Sequence, residues 1–215
     1  FLNIFLRAIS DRNPSHCIIT FDTPKPTFRH IAFPDYKAQR AETPQELKHQ
    51  FDRVRQMMET FAVPTFSLDG YEADDLIGPI SAQAEEHGLE TIILTGDRDT
   101  FQLISPYTKV DLGSNARDRK LYGEPELIAR YGGLTAEQQP DFKALLGDSS
   151  DNIPGVPRVG EKRAITLLNS YANLEGIYEN LESVHPPSVK TSLSESKSIA
   201  FNNRDLMTIQ REVPI

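Results

Sequence analysis

The sequence predicts an α/β protein in which a mainly parallel sheet with flanking helices occupies residues 1–123 and an all-helical subdomain occupies 124–215. Three observations lead there. Strand-sized apolar runs alternate with helix-period segments as far as residue 123. From Glu124 onward the periodic segments all have helical spacing. Carboxylates gather at the ends of the predicted strands and helices, where open parallel sheets place their ligands. The 215 residues, with 15 prolines and 12 glycines, suffice for a sizeable core and are ordinary for a looped globular chain.

Taken in order, Leu2, Phe5, Leu6 and Ile9 form one stripe, so a helix opens the chain. This start lacks a basic leader, a cleavage site and an initiator methionine, and it reads as a helix entered in mid-domain, within a fragment. Residues 16–21 are a buried strand ending at Asp22. A turn-rich stretch with Pro24, Pro26 and Pro34 follows. Thr43 is the expected N-cap of the next helix, with Pro44 at its first position and Glu46 completing a capping box. Leu47, Phe51, Val54, Met58 and Phe61 continue it as an amphipathic helix that stops before Pro64. Residues 65–68 are a strand, and a helix from about 72 to 87 stops at Gly88. Gly78-Pro79 interrupts that helix, and the missing N–H of Pro79 predicts a kink. Residues 91–94 are a strand leading into Gly96-Asp97-Arg98-Asp99, and 109–112 are a further short strand. Helices are then expected at 124–131, 135–146, 161–170, 174–181 and 188–205, with no internal repeat.

Net charge is −8, from 31 acidic and 23 basic residues. Such a sum argues against a broad basic surface, but carboxylates gathered around divalent cations would make a site that attracts phosphate. The single cysteine, Cys17, excludes an internal disulfide framework and a CxxC zinc site, and fits a reducing cytoplasm. No apolar run approaches the ~20 residues of a membrane span. No membrane partner is expected, and nothing demands more than a monomer.

Eight carboxylates occupy element ends: Asp22 after the first strand, Glu72, Asp74 and Asp75 at a helix start, Asp97 and Asp99 after a second strand, and Asp148 and Asp151 in a loop. Each cluster has a plain structural explanation. Acids complement a helix N-terminus, Asp69 with Glu72 could form a capping box, and Asp148 with Asp151 could build a turn. Brought together, however, like charges repel unless a cation lies between them. Oxygen ligands without histidine or cysteine select magnesium, manganese or calcium over zinc. The histidines His16, His30, His49, His87 and His185 lack ligand spacing.

Two further segments suit phosphate. In Pro154-Gly155-Val156-Pro157-Arg158-Val159-Gly160-Glu161-Lys162, two glycines flank a turn that opens a helix, as in a helix-hairpin-helix. Backbone N–H groups can then approach a phosphodiester, with Arg158, Lys162 and Arg163 adding charge. An ordinary glycine turn between packed helices is the alternative. In Thr27-Phe28-Arg29-His30 and Tyr36-Lys37-Ala38-Gln39-Arg40, cations interleave with aromatics, which suits phosphate neutralisation and base stacking; a solvated basic loop is the alternative. Neither a Walker A sequence nor a GxGxxG is present, which argues against nucleotide cofactors.

Tyr71-Glu72-Ala73-Asp74-Asp75, Gly96-Asp97-Arg98-Asp99 and Gly147-Asp148-Ser149-Ser150-Asp151-Asn152-Ile153-Pro154-Gly155-Val156 occur in one order that resembles the 5′-nuclease (5′-3′ exonuclease) domain of bacterial DNA polymerase I, in the flap endonuclease superfamily. The resemblance runs from about Phe5 to Ile215. It implies a PIN-like (resolvase-like) α/β domain followed by a helix-hairpin-helix type subdomain that holds duplex DNA. By the same resemblance, Asp22, Glu72, Asp74, Asp75, Asp97, Asp99, Asp148 and Asp151 are metal ligands for Mg2+ or Mn2+, two ions in all. Lys37 and Arg40 contact the scissile phosphate, and with Tyr36 they lie at the base of an arch for the 5′ strand. Gly155 and Gly160 bound the DNA-binding hairpin, which holds a monovalent cation such as K+ through backbone carbonyls; Arg29, Arg158, Lys162 and Arg163 join the DNA contacts.

The implied activity is metal-dependent hydrolysis of phosphodiesters at 5′ flaps, nicked or gapped duplex and RNA–DNA primers, in replication and repair at the bacterial nucleoid. An attached polymerase domain is a further expectation. Three departures stand out: a first strand with another ligand aspartate is absent, Gly78-Pro79 interrupts a helix, and Arg158 stands where the family has glycine. The rival reading is a junction-binding fragment that does not cut. A PIN-type ribonuclease is opposed by the C-terminal hairpin. A haloacid-dehalogenase-type phosphatase lacks the second aspartate two residues after Asp22.

Overall fold

The computed structural model describes residues 1–115 and 117–215. Helix α1 (Leu2–Arg12) ends where Asn13 turns left-handed. Strand β1 (Ile19–Thr20) follows and pairs in parallel with β2 (Thr65–Phe66), Ile19 opposite Thr65. Between them lie α2 (Phe28–Ala32) and α3 (Gln45–Thr60). Helix α4 (Ala73–Glu86) leads to β3 (Thr91–Thr95), a 3-10 helix over Arg98–Leu103, β4 (Thr108–Leu112) and β5 (Lys120–Tyr122). Strands β3 and β4 are parallel, and β5 is antiparallel to β4.

The expected α/β layer is present, but its strands form separate ladders, β1–β2 and β3–β4–β5, in place of one sheet. Helix α4 packs on both β1 and β3, so side-chain packing joins ladders that share no hydrogen bonds. In this half the sequence pattern gives no sign of β5, α2 or the 3-10 helix. Strand β5 is too short to show a period, and α2 hides in a proline-rich stretch, where Thr27 and His30 form its capping box.

Other boundaries move for local reasons. Pro44, not Thr43, caps α3, without a side-chain bond. Only Met58 of the expected apolar stripe is buried there, while Leu47, Phe51 and Phe61 stay exposed and the Phe5 ring stacks on Phe61 at 6.0 Å. Helix α4 runs through Pro79. Beside it the Ser81 hydroxyl donates to the Gly78 carbonyl (2.8 Å). A Cβ on Gly78 would lie 2.8 Å from the Gln210 carbonyl oxygen, so glycine lets the C-terminal segment pass close to this helix.

The second half consists of α5 (Glu124–Arg130), α6 (Gln139–Leu146), α7 (Glu161–Tyr171), α8 (Leu174–Glu179), a 3-10 turn over Leu181–Ser183, α9 (Pro187–Glu195) and α10 (Lys197–Met207). Helix α6 starts at 139 because residues 135–138 form a turn in which the Thr135 N–H donates to the Gln138 side chain (3.0 Å). The expected 188–205 helix is two helices that meet at the buried Ser196. This half is also not purely helical, since β6 (Gly147–Asp148) and β7 (Ile153–Pro154) make a small antiparallel hairpin.

One apolar cluster runs from Ile93 and Phe101 through Leu127, Leu145 and Leu168 to Leu193 and Ile209, so the two halves share a core. Each fully buried leucine or phenylalanine there contributes about 1.5–3 kcal/mol. Among the described residues no helix is long and apolar enough to cross a membrane.

Candidate active site

A cleft of about 210 Å³ opens at the C-terminal ends of β1 and β3. Its walls carry Asp22, Glu72, Asp74, Asp97, Asp99 and Asp151, together with Lys37, Arg40 and the largely buried Arg29 and Tyr36. Leu206, Met207 and Ile209 form an apolar part of the lining.

Backbone chemistry places each carboxylate. Asp22 follows β1 and accepts the Ala73 N–H (2.7 Å) at the start of α4. Glu72 is the N-cap of that helix, and Asp74 lies in its first turn. Asp97 caps the 3-10 helix after β3 by accepting the Asp99 N–H (2.9 Å). Asp148 lies in β6, where it accepts the Ser150 N–H (2.8 Å). Asp151 lies in the turn between β6 and β7.

Crowding shows in the acidity of these groups. Burial, and then the charges of Asp97, Asp99, Asp22 and Glu72, push the Asp74 carboxyl up to about 7. Asp99 rises to about 6 through burial, with Lys143 opposing and Asp97 and Asp148 adding to the shift. Lys143 on α6 is a site residue that sequence reasoning missed. Its Nζ lies 2.8 Å from Asp99 Oδ1 and 2.6 Å from Asp148 Oδ2. Burial disfavours the charge on Lys143, yet the two aspartates raise its pKa. Burial alone would raise Asp148 as well, but hydrogen bonds from Lys143 and Ser150 bring it down to about 2.

Asp99 Oδ1 is buried without an aligned hydrogen-bond donor, its Lys143 contact being an ion pair only. Mutually repelling carboxylates, one with a buried oxygen met only by the Lys143 ammonium, and with no soft ligand near, fit a hard divalent cation. Among the described residues no three of these side chains already converge on one point. Cations of the chain stand among them instead.

Lys37 Nζ lies 2.6 Å from Glu72 Oε1 and 3.9 Å from Asp151 Oδ2, and Arg40 pairs with Asp151. Lys37 adopts a left-handed backbone (φ 57), where its N–H donates to the Asp151 carbonyl (3.0 Å). A non-glycine residue there is strained and needs its surroundings to hold it.

Three of the expected site residues are largely enclosed by protein. Tyr36 is 4% exposed, so its ring is not free to stack on a base. Its hydroxyl lies within 3.2 Å of both Glu72 oxygens and 3.1 Å of Asp151 Oδ2. Burial, then Glu72 and Asp151, raise its pKa. Arg29, expected at the DNA, is also 4% exposed and forks onto Asp75 (2.6 and 2.8 Å). Asp75, expected as a metal ligand, is fully buried and absent from the cleft wall.

In the hairpin segment, the two expected glycines differ. A Cβ on Gly155 would lie 2.0 Å from the Leu146 carbonyl oxygen, so packing alone demands glycine there. Gly160 faces open space at the N-cap of α7. Arg158 takes φ 66, the left-handed backbone that its place in a glycine position predicts. Lys162 is exposed, and Arg163 donates to the Arg158 carbonyl.

Residues 1–132 match the 5′-3′ exonuclease N-terminal resolvase-like domain, and residues 134–215 match the 5′-3′ exonuclease C-terminal SAM fold. DNA polymerase I of Bacillus caldotenax is 38% identical over 216 residues, covering 100% of this chain and 24% of the relative. DNA polymerase I of Bacillus subtilis is 39% identical over 215 residues, with the same coverage. The chain therefore spans about a quarter of the length of these relatives. Among solved structures, the T5 D15 protein co-crystallised with metal ions has a TM-score of 0.82 at 24% identity, covering 96% of this chain and 80% of that one. The catalytic core of Rad2 in complex with DNA substrate has a TM-score of 0.58 at 14% identity, covering 92% and 66%. The fold expected from the motifs is thus present, and the chain belongs to the 5′-3′ exonuclease family.

Proposed function

We propose that the chain is a structure-specific 5′ nuclease that hydrolyses phosphodiesters at 5′ flaps and RNA primers with divalent metal, in DNA replication and repair. The observation that carries this reading is the gathering of Asp22, Asp74, Asp97 and Asp99 in one cleft, where burial first and then the neighbouring charges push the Asp74 carboxyl up to about 7. Such a set is costly unless cations occupy it. Asp22, Glu72, Asp74, Asp97, Asp99, Asp148 and Asp151 would hold two Mg2+ or Mn2+ ions. When bound, these ions would supply an activated water and stabilise the leaving oxygen.

Lys37 and Arg40 line the same cleft and neutralise charge developing on the scissile phosphate. Gly160 at the start of α7, with Arg158, Lys162 and Arg163, receives the duplex backbone through N–H groups and cations. A K+ ion held by hairpin carbonyls would strengthen that contact. Residues 1–123 supply the catalytic part and 124–215 the duplex-holding part. Products are a removed fragment that ends in a 3′-hydroxyl, the leaving oxygen, and a remaining strand that begins with a 5′-phosphate. The metal ions named for the T5 D15 crystals and the DNA substrate named for Rad2 support this reading. The polymerase I relatives support the reading that a polymerase domain is attached and that the protein works at the nucleoid in the cytoplasm.

The test is cleavage of a 5′-labelled double-flap DNA with magnesium against EDTA. A magnesium-dependent cut at the junction is the expected result. Flap binding in calcium without a cut in magnesium or manganese would favour a recognition fragment instead.

A further inference from the structure

We infer that Arg29, Asp75 and Tyr36 form a buried positioning layer for Glu72, and that none of the three touches an ion or the DNA.

Arg29 spends its donors inside the protein. Nη1 donates to Asp75 Oδ2 (2.6 Å), Nη2 to Asp75 Oδ1 (2.8 Å) and the Thr208 carbonyl (3.0 Å), and Nε to the Leu206 carbonyl (2.7 Å). Asp75 is equally committed. Its Oδ2 also accepts the Glu72 N–H (3.0 Å) and its Oδ1 the Gln210 N–H (2.9 Å). With two donors on each oxygen and no exposure, its carboxylate has no direction left for an ion.

Everything converges on Glu72. Asp75 holds its backbone, Arg29 Nη1 stands 3.7 Å from its Oε2, and the Tyr36 hydroxyl steadies its carboxylate against Asp151. The same Arg29–Asp75 pair grips the 206–210 segment, which also lines the cleft. Gln102 ties that segment from the other side, donating to the Met207 carbonyl (3.0 Å) and accepting the Ile209 N–H (2.8 Å). A lysine at 29 would keep the charge but lose the planar fork, so it could not serve both Asp75 oxygens and both carbonyls.

The proposal rests on the nuclease reading for its kinetic arm only. Mn2+ titration of the metal-free chain, by calorimetry, tests it independently of cleavage. Arg29→Lys and Tyr36→Phe are compared in the wild-type and Glu72→Gln backgrounds, with circular dichroism as the check on folding. Tyr36→Phe removes one oxygen and keeps the buried ring, so it reports even where Arg29→Lys unfolds. In the wild-type background each change should weaken Mn2+ binding about tenfold, as loss of a ligand's supporting hydrogen bonds does. In the Glu72→Gln background Arg29→Lys should alter affinity by less than about twofold, because its effect passes through Glu72, and Tyr36→Phe should keep only the part that passes through Asp151. On flap DNA, kcat should fall about tenfold with KM unchanged.

An undiminished loss of Mn2+ affinity in the Glu72→Gln background overturns the proposal. So does a wild-type chain that takes up no Mn2+, or a rise in flap KM at constant kcat, which would mark Arg29 as a DNA contact. A wild-type chain that binds Mn2+ but cuts no flap defeats the nuclease reading and leaves the titration to judge the positioning layer.

Discussion

Lys37 and Glu72 form a 2.6 Å ion pair in the cleft, so the side chain expected to meet the scissile phosphate is held by one expected to meet an ion. Arg40 and Asp151 repeat the arrangement beside it. Each cation thus neutralises a carboxylate of the cleft. The left-handed backbone at Lys37 shows that the chain tolerates strain to hold this lysine there.

Lys37→Ala should therefore lower kcat on flap DNA on the order of 100-fold while raising KM only slightly, because its charge acts mainly on the transition state. Steady-state kinetics with a labelled flap checks this. An effect confined to KM would remove Lys37 from the chemistry.

Asp97→Asn should abolish cleavage and leave junction affinity in calcium nearly unchanged. Asp97 lines the cleft and is among the charges that raise Asp74, while the hairpin lies on separate elements. Gel-shift and cleavage assays on one preparation separate the two effects. Full cleavage by this variant would take Asp97 out of the metal site.

Lys143→Met should destabilise the protein in EDTA, because Asp99 and Asp148 lose the ammonium between them. A loss of about 2 kcal/mol, or roughly 5 °C in Tm, is expected for a part-buried ion pair. Saturating magnesium should return most of it by supplying another cation. Calorimetric scans with EDTA and with magnesium measure both. An unaltered Tm in EDTA would mean that the aspartates do not depend on Lys143.

Gly160→Ala and Gly155→Ala should fail differently. Gly160 faces open space, so alanine should leave Tm within about 2 °C and weaken duplex binding about tenfold by blocking close approach of the backbone. Gly155→Ala forces a Cβ against the Leu146 carbonyl and should lower Tm whether or not DNA is present. Equal duplex affinity of Gly160→Ala and wild type would make that glycine an ordinary helix start.

What the sequence determined by itself is local. The alternation of apolar runs set the α/β half and the helical half, and α4 is capped by Glu72 and His87 because its first-turn acids and terminal glycine are short-range signals. The positions of Asp22 and Asp97 just after strands were legible for the same reason, whereas Asp148, expected in a loop, lies in β6. Only the tertiary structure decided which side chains face the cleft. Arg29 and Asp75 meet across 46 residues and Tyr36 and Asp151 across 115, so neither pair leaves a mark in spacing. Lys143 reads in the sequence as one cation on an amphipathic helix, and packing of α6 carries it to Asp99. The division of β1–β2 from β3–β4–β5 was likewise beyond the sequence. Period and capping act over a few residues, whereas burial and charge pairing depend on which distant surfaces the core brings together.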